Sequence, residues 1–380
     1  MRRRHSDPAR ARLARAGVLL WSLIAASAVH AETVTDLAGR QVELPARVER
    51  IILGEGRYLP TLAMLEREQP LERVVGILPD FRLADPGTYR LYRERFPALE
   101  SIPELGHTSA DSFSTEHALT LDADVAIFSL AGHGPSSGSS RLIDSLEEAG
   151  VTVVFLDFRQ QPLRNTPRSL RLLGKLLDRE REAHEFLAFY EAELARVRDR
   201  LPDIAREDRP GVFLHSRAGL HDTCCETMAD GMMGHFVDYA GGRNIARDRI
   251  PGVAGTMNLE YLLVHQPAIY IATAIGSAAR EGEQPFVTLG PGVSPERARQ
   301  SLRRATQGRG LGQLEAIQDE RAYAIWHNFY NTPMNVVAVQ VIAKWLYPER
   351  FPELDPRATL ATLFQRFQPV PLDGVYWTGL

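Results

Sequence analysis

Cysteine, lysine and long apolar runs are what this chain has least of. Only two cysteines, Cys224 and Cys225, occur in 380 residues, and they are adjacent. Neighbours in sequence cannot staple distant parts of a fold, so no disulfide framework holds the core. The pair either closes on itself as a vicinal disulfide or stays as two thiols. Two lysines stand against 42 arginines, so an arginine marks a site only through its position. No G-x-S-x-G nucleophile elbow is present. Gly308-Arg309-Gly310-Leu311-Gly312 neither follows a strand signal nor has the spacing of a dinucleotide-binding loop, and it reads as a surface turn. Nothing points to ATP binding.

The composition that remains is globular. With 44% hydrophobic and 24% charged residues, neither wholesale disorder nor a polytopic membrane protein fits. A chain this long is expected to divide into about two domains. Residues 1–31 read as a cleaved export signal. They combine a basic start (Arg2, Arg3, Arg4, Arg10, Arg12, Arg15), an uncharged apolar stretch from Ala16, and Val29-His30-Ala31 at a cleavage site. The apolar run is shorter than the roughly 20 residues a membrane span needs. No cysteine lies near the junction to accept a lipid. The expected product is exported and soluble, without direct membrane insertion. The leader holds +5 of a net −4, leaving −9 on the remainder. A body that acidic excludes nucleic acid as a partner on general electrostatics.

Past the leader, short apolar runs alternate with helical patterns. Strand signals at 50–54, 73–77, 124–130 and 151–156 are separated by helical spacing, which predicts a parallel α/β sheet. From Thr166 to about Leu201 there is no strand signal. Apolar residues instead fall at Leu170, Leu173, Leu177, Ala183, Leu187, Tyr190, Leu194, Val197 and Leu201, mostly three or four apart. One helix over 166–202 would span roughly 50 Å. A second α/β pattern follows, with strands at 212–214, 268–273 and 321–326 and an apolar helix at 336–346. The fold expected is therefore α/β, two parallel-sheet lobes (32–165 and 203–380) joined by one long backbone helix, with a ligand cleft between them.

Several stretches, in order, resemble a known family. Val34-Thr35-Asp36-Leu37-Ala38-Gly39-Arg40 looks like its opening hairpin, and Arg47 to Ile52 leads into its first strand. Leu121 to Ile127 and Gln266 to Ile271 resemble its helix–strand unit, the first without the usual proline. Ala240 to Ala246 is similar to its glycine turn, and Asn335 to Tyr347 to its C-terminal helix. The family is that of periplasmic substrate-binding proteins of ABC importers, in the single-helix-hinge class for iron–siderophores, haem and cobalamin. The resemblance implies a monomeric receptor rather than an enzyme, with no intrinsic cofactor. Its ligand would be a metal chelate of the Fe(III)-siderophore type, delivered to an inner-membrane permease.

Ligands of open α/β sheets bind beyond the carboxyl ends of the strands. A bulky anionic chelate needs guanidinium forks and aromatic walls. The loops after the strands offer Arg57, Arg217 and Arg280 for charge, Tyr58, Trp326 and Tyr330 for walls, and His133. The resemblance implies that an acidic residue on each lobe docks on the permease, and Glu116 and Glu260 match those positions. Other chemistries compete. His133, His215 and His327 from opposing lobes could hold a bare metal ion. His221, Cys224, Cys225 and His235, with Glu226 or Asp222 as base, could make a zinc enzyme, although their spacing is that of no strong zinc motif.

Overall fold

A computed structural model describes residues 32–380 apart from 202, 222–223, 279–284 and 309. The expected export signal and Arg280 therefore lie outside the described residues. Thr33–Thr35 (β1) and Gln41–Glu43 (β2) form the opening hairpin. Ile51–Leu53 (β3), Val74–Ile77 (β4), Val125–Ser129 (β5) and Thr152–Leu156 (β6) make an all-parallel sheet in the order β4-β3-β5-β6. All five residues of β5 are buried, as its continuous apolar run requires of a strand covered on both faces.

The second sheet contains Gly211–His215 (β7), Glu226–Met228 (β8), Arg243–Asn244 (β9), Ala254–Thr256 (β10), Ile269–Ala274 (β11), Ala322–Trp326 (β12) and Trp377–Gly379 (β13). Its order is β10-β8-β7-β11-β12-β13, with β9 beside β7. The pairs β7/β9, β7/β11 and β11/β12 are parallel. The remaining pairs, β8/β7, β10/β8 and β12/β13, are antiparallel, so this sheet is mixed rather than purely parallel.

The segment expected as one helix over 166–202 is two. Pro162–Leu177 (α2) and Glu180–Arg198 (α3) follow the earlier helix Leu59–Leu65 (α1). Asp178 takes a left-handed conformation (φ 57°), and Arg179 N–H returns to Gly174 O at 2.7 Å, which closes the first helix. The two helices then pack on one another. A Cβ at Gly174 would stand 2.8 Å from that of Ala183, so a bare glycine sets their approach. At about 1.5 Å per residue, α3 is roughly 28 Å long and not 50 Å.

That shorter helix is held from both lobes. It contacts α1 on one side and Asn335–Leu346 (α4) on the other. Tyr190 Oη donates to Asn335 Oδ1 (2.8 Å), and Asn335 Nδ2 donates to Thr166 Oγ1 (3.0 Å), a buried link among α2, α3 and α4. The C-terminal segment also crosses to the first lobe. Tyr92 Oη donates to Gln368 Oε1 (2.6 Å), and Gln368 Nε2 donates to Pro60 O (3.1 Å). One buried apolar cluster therefore runs from Val34 to Tyr376 through both sheets.

Candidate functional site

The carboxyl ends of β3, β5 and β6 face those of β7, β11 and β12 across a cavity of about 500 Å³. The first lobe contributes Arg57, Ala84, His133 and Arg159 to its wall. The second contributes Ser216, Arg217, Met232, His327, Asn328 and Tyr330, together with all three residues of β10. This is where the strand-end rule puts a ligand.

Arg57 follows β3 in a single 3-10 turn and is only 4% exposed. Its Nε donates to Glu55 Oε1 (2.7 Å) and to Asp80 Oδ2 (3.2 Å), and both carboxyls are wholly buried. Its Nη1 reaches across to Asn328 Oδ1 (3.3 Å) and Tyr330 Oη (3.1 Å). Burial would lift the Asp80 carboxyl, but His133 Nδ1 at 3.6 Å and the Arg57 guanidinium more than offset it and hold it at about 2. Glu55 moves the other way, raised by burial and by its neighbour Asp80 despite Arg57. Glu55 Oε1 also accepts from Asn331 Nδ2 (3.1 Å), so the cluster ties the lobes together.

Arg217 adopts a left-handed backbone (φ 49°) and donates to Glu226 at 2.8–3.1 Å through Nε and Nη2. His327 Nδ1 lies 2.8 Å from Thr273 Oγ1. Burial first, and then the nearby arginines, depress its pKa far below the ordinary imidazole value, so it faces the cavity neutral. Arg159 lies just past β6. Its guanidinium stacks over the Tyr330 ring at 4.9 Å and its Nη2 donates to Tyr330 Oη. Gly132 (φ +145°) lets the loop pass over it, since a Cβ there would meet Arg159 Cζ at 3.0 Å.

Of the residues singled out from sequence, Arg57, His133, Arg217 and Tyr330 stand together in the cavity wall. Tyr58 and Trp326 do not. Tyr58 is 2% exposed and packs edge-on against Phe158 at 5.3 Å, and Trp326 is 4% exposed against Phe329 and Tyr376. Both belong to core rather than to walls, because the ends of β3 and β12 turn them inward. Arg159 was not anticipated. The rule that selected the other loops applies equally to the loop after β6, and it would have found this residue.

The metal alternatives fail on placement. His133 and His327 line the cavity, but His215 is buried with Nδ1 2.7 Å from Tyr270 Oη and stays outside it. Cys224 and Cys225 are joined as a disulfide, which removes both thiolates from a zinc set. His221 lies 3.4 Å from Glu226, whereas His235 sits near Asp230 at 3.7 Å. Glu226 is occupied by Arg217, and Asp222 lies outside the described residues. Among the described residues one group has metal-ligand spacing, Glu55, Asp80 and His133. The Arg57 guanidinium already occupies the two carboxylates, so a cation would have to displace it. Glu116 and Glu260 are exposed in the first turns of Thr115–Leu119 and Leu259–His265, on different lobes.

Residues 111–288 match the protein family described as periplasmic binding protein. Molybdate-binding protein MolA of Haemophilus influenzae is 20% identical over 374 residues, covering 92% of this chain and 94% of that protein. Among solved structures, the TroA-like periplasmic binding protein FepB of Veillonella parvula superposes with a TM-score of 0.78. It is 22% identical and covers 92% of this chain and 99% of that one. CeuE of Helicobacter pylori, in its Ni–His complex, gives 0.61 at 15% identity, covering 88% and 95%. At such identities the structures speak for the fold. No described helix is long and apolar enough to cross a membrane. Residues 111–288 thus carry the match to the periplasmic binding protein family, and the two-lobed fold of the described residues is similar to that of solved periplasmic binding proteins.

Proposed function

We propose that the chain is the periplasmic solute receptor of an ABC importer, exported with loss of residues 1–31, and that its cleft captures an anionic chelate of the Fe(III)-siderophore type. The observation that carries this reading is the interlobe cavity, lined by three arginines and Tyr330. At about 500 Å³ it lies within the range of roughly 300–1,000 Å³ in which drug-sized ligands are buried. A multidentate chelate fills such a space, and guanidinium groups with a tyrosine face suit its charge and flat ligand arms. Because the lobes are tied through α3, α4 and the C-terminal segment, affinity comes from a largely preformed cleft. The chain acts by binding and release and catalyses nothing.

Glu116 and Glu260 are assigned to permease docking. Each is an exposed carboxylate at the start of a short helix capped by Ser114 or Asn258, where the helix end favours a negative charge. Glu116→Ala and Glu260→Ala should leave ligand affinity intact and impair uptake; lost affinity would overturn the docking role. A second reading, capture of a molybdate-type oxyanion, draws on the relative MolA, whose alignment spans most of both chains. Calorimetric titration of residues 32–380 with ferric chelates, haem, cobalamin, molybdate and bare Fe³⁺ or Zn²⁺ separates them. Saturation by a ferric chelate with no heat from the bare ions is expected. Saturation by molybdate alone would replace the chelate reading, and saturation by a bare ion would refute both.

A further inference from the structure

The three cavity arginines are not equivalent. Arg57 is shared between two buried carboxyls, and Arg217 is held by Glu226. Arg159 has no carboxylate partner among the described residues. Its Nη2 is paired to a neutral phenol, and its Nε is buried with no hydrogen-bond partner at all. Arg159 is only partly buried and its guanidinium borders the cavity, so its charge is available to an anion that enters there.

A second unfilled feature lies on the opposite lobe. β10 is the edge of its sheet, and Ala254, Gly255 and Thr256 all line the cavity. Its register against β8 pairs Ala254 with Met228, Gly255 with Thr227 and Thr256 with Glu226. Flanking bonds run from Ala229 N–H to Val253 O (2.8 Å) and from Met257 N–H to Cys225 O (3.0 Å). In an antiparallel pair the bonded positions alternate, so Gly255 bonds inward with Val253 and Met257. Ala254 and Thr256 therefore turn their N–H and C=O groups away from β8, on the edge that borders the cavity. Two residues apart along a strand, these donor–acceptor sets repeat about every 7 Å.

We propose that the cleft is specific for an anionic chelate bearing an amide arm: the anion meets Arg159, and the arm adds to the free edge of β10 as a short extra strand. This rests on the receptor reading above and narrows its ligand class. An amide supplies both the acceptor that the outward N–H groups need and the donor that the outward C=O groups need, which an oxyanion or a polycarboxylate does not. The edge gives orientation along the arm, and Arg159 selects charge.

The test uses a ferric tris(catecholamide), the matched hexadentate ferric tris(catecholate) whose linkers lack amides, and molybdate, each titrated into residues 32–380. The wild-type chain should bind the amide-bearing chelate about tenfold more tightly than its amide-free counterpart. Ala254→Pro removes one outward N–H that the sheet does not use, and edge strands tolerate proline. It should abolish that preference, while Ala254→Val, which keeps the N–H, should retain it. Arg159→Ala should weaken both chelates by about tenfold or more. Equal affinity of the wild-type chain for the two chelates overturns the edge role and leaves the receptor reading standing. Undiminished binding by Arg159→Ala overturns its role as the anion anchor. Binding of none of the three ligands would count against the receptor reading, and this narrower one would fall with it.

Discussion

Replacing Arg57 with alanine should damage the fold before it damages recognition. The guanidinium is 4% exposed, and its carboxyl partners Glu55 and Asp80 are fully buried. Taking it away leaves the ionised Asp80 without its neutralising partner, a loss of about 3–5 kcal/mol for a broken buried pair. Unfolding entropy of about 2.1 cal/mol/K per residue, over a body of about 350 residues, amounts to roughly 0.7 kcal/mol per degree. The melting temperature should therefore fall by about 4–7 °C, read by calorimetry or circular dichroism without ligand. The sign with pH is also fixed. Asp80 is held at about 2, below its ordinary 3.8, so its stabilising share is present above 3.8 and is lost as pH falls through about 2. The gap between wild type and Arg57→Ala should accordingly be wide at pH 7 and close on acidification. Arg57→Met combined with Asp80→Asn and Glu55→Gln, which removes the charges together, should recover much of the loss. A melting temperature unchanged within about 1 °C, with affinity lost, would refute this reasoning and make Arg57 a ligand-binding residue after all.

Three other substitutions probe separate parts of the molecule. Asp85, buried at the start of the helix Pro86–Arg95, is pushed up to about 6 by burial despite hydrogen bonds from Thr88. A raised carboxyl contributes stability that is complete below 3.8 and lost as pH rises through about 6. Asp85→Asn should therefore melt about 4 °C higher than wild type at pH 8, from roughly 3 kcal/mol, and show no advantage at pH 4. Gly174→Ala forces a methyl against Ala183 and should cost about 1–3 kcal/mol in chemical denaturation while leaving ligand affinity alone. Gly132→Ala places a Cβ against the Arg159 guanidinium and Glu55 Oε2, so titration should show weaker anion binding.

Much of the architecture was legible because it follows from periodicity. Continuous apolar runs announced β5 and β11, and the loops after β3, β5, β7 and β12 led to Arg57, His133, Arg217 and His327. The break between α2 and α3 was legible too. In the apolar series from Leu170 to Leu201, every step is three or four except the one from Leu177 to Ala183, and Asp178 turns left-handed inside that gap. The mixed second sheet was less accessible, since β8, β10 and β13 are three residues each and too short for a pattern.

Which loop residues face a ligand is a different question, and position along the chain does not answer it. Tyr58 directly follows Arg57, yet one lies against Phe158 in the core and the other in the cavity wall. Likewise the three arginines share a loop context but differ in partners that are distant in sequence. Arg57 is claimed by Asp80, 23 residues away, and Arg217 by Glu226, nine away, while Arg159 has no carboxylate partner among the described residues. Local sequence contains neither pairing. The arginine that a ligand can use is the one left over once the carboxylates are assigned, and that remainder exists only in three dimensions. Charge balance in the folded cleft, rather than the count of arginines near it, therefore decides where an anion goes.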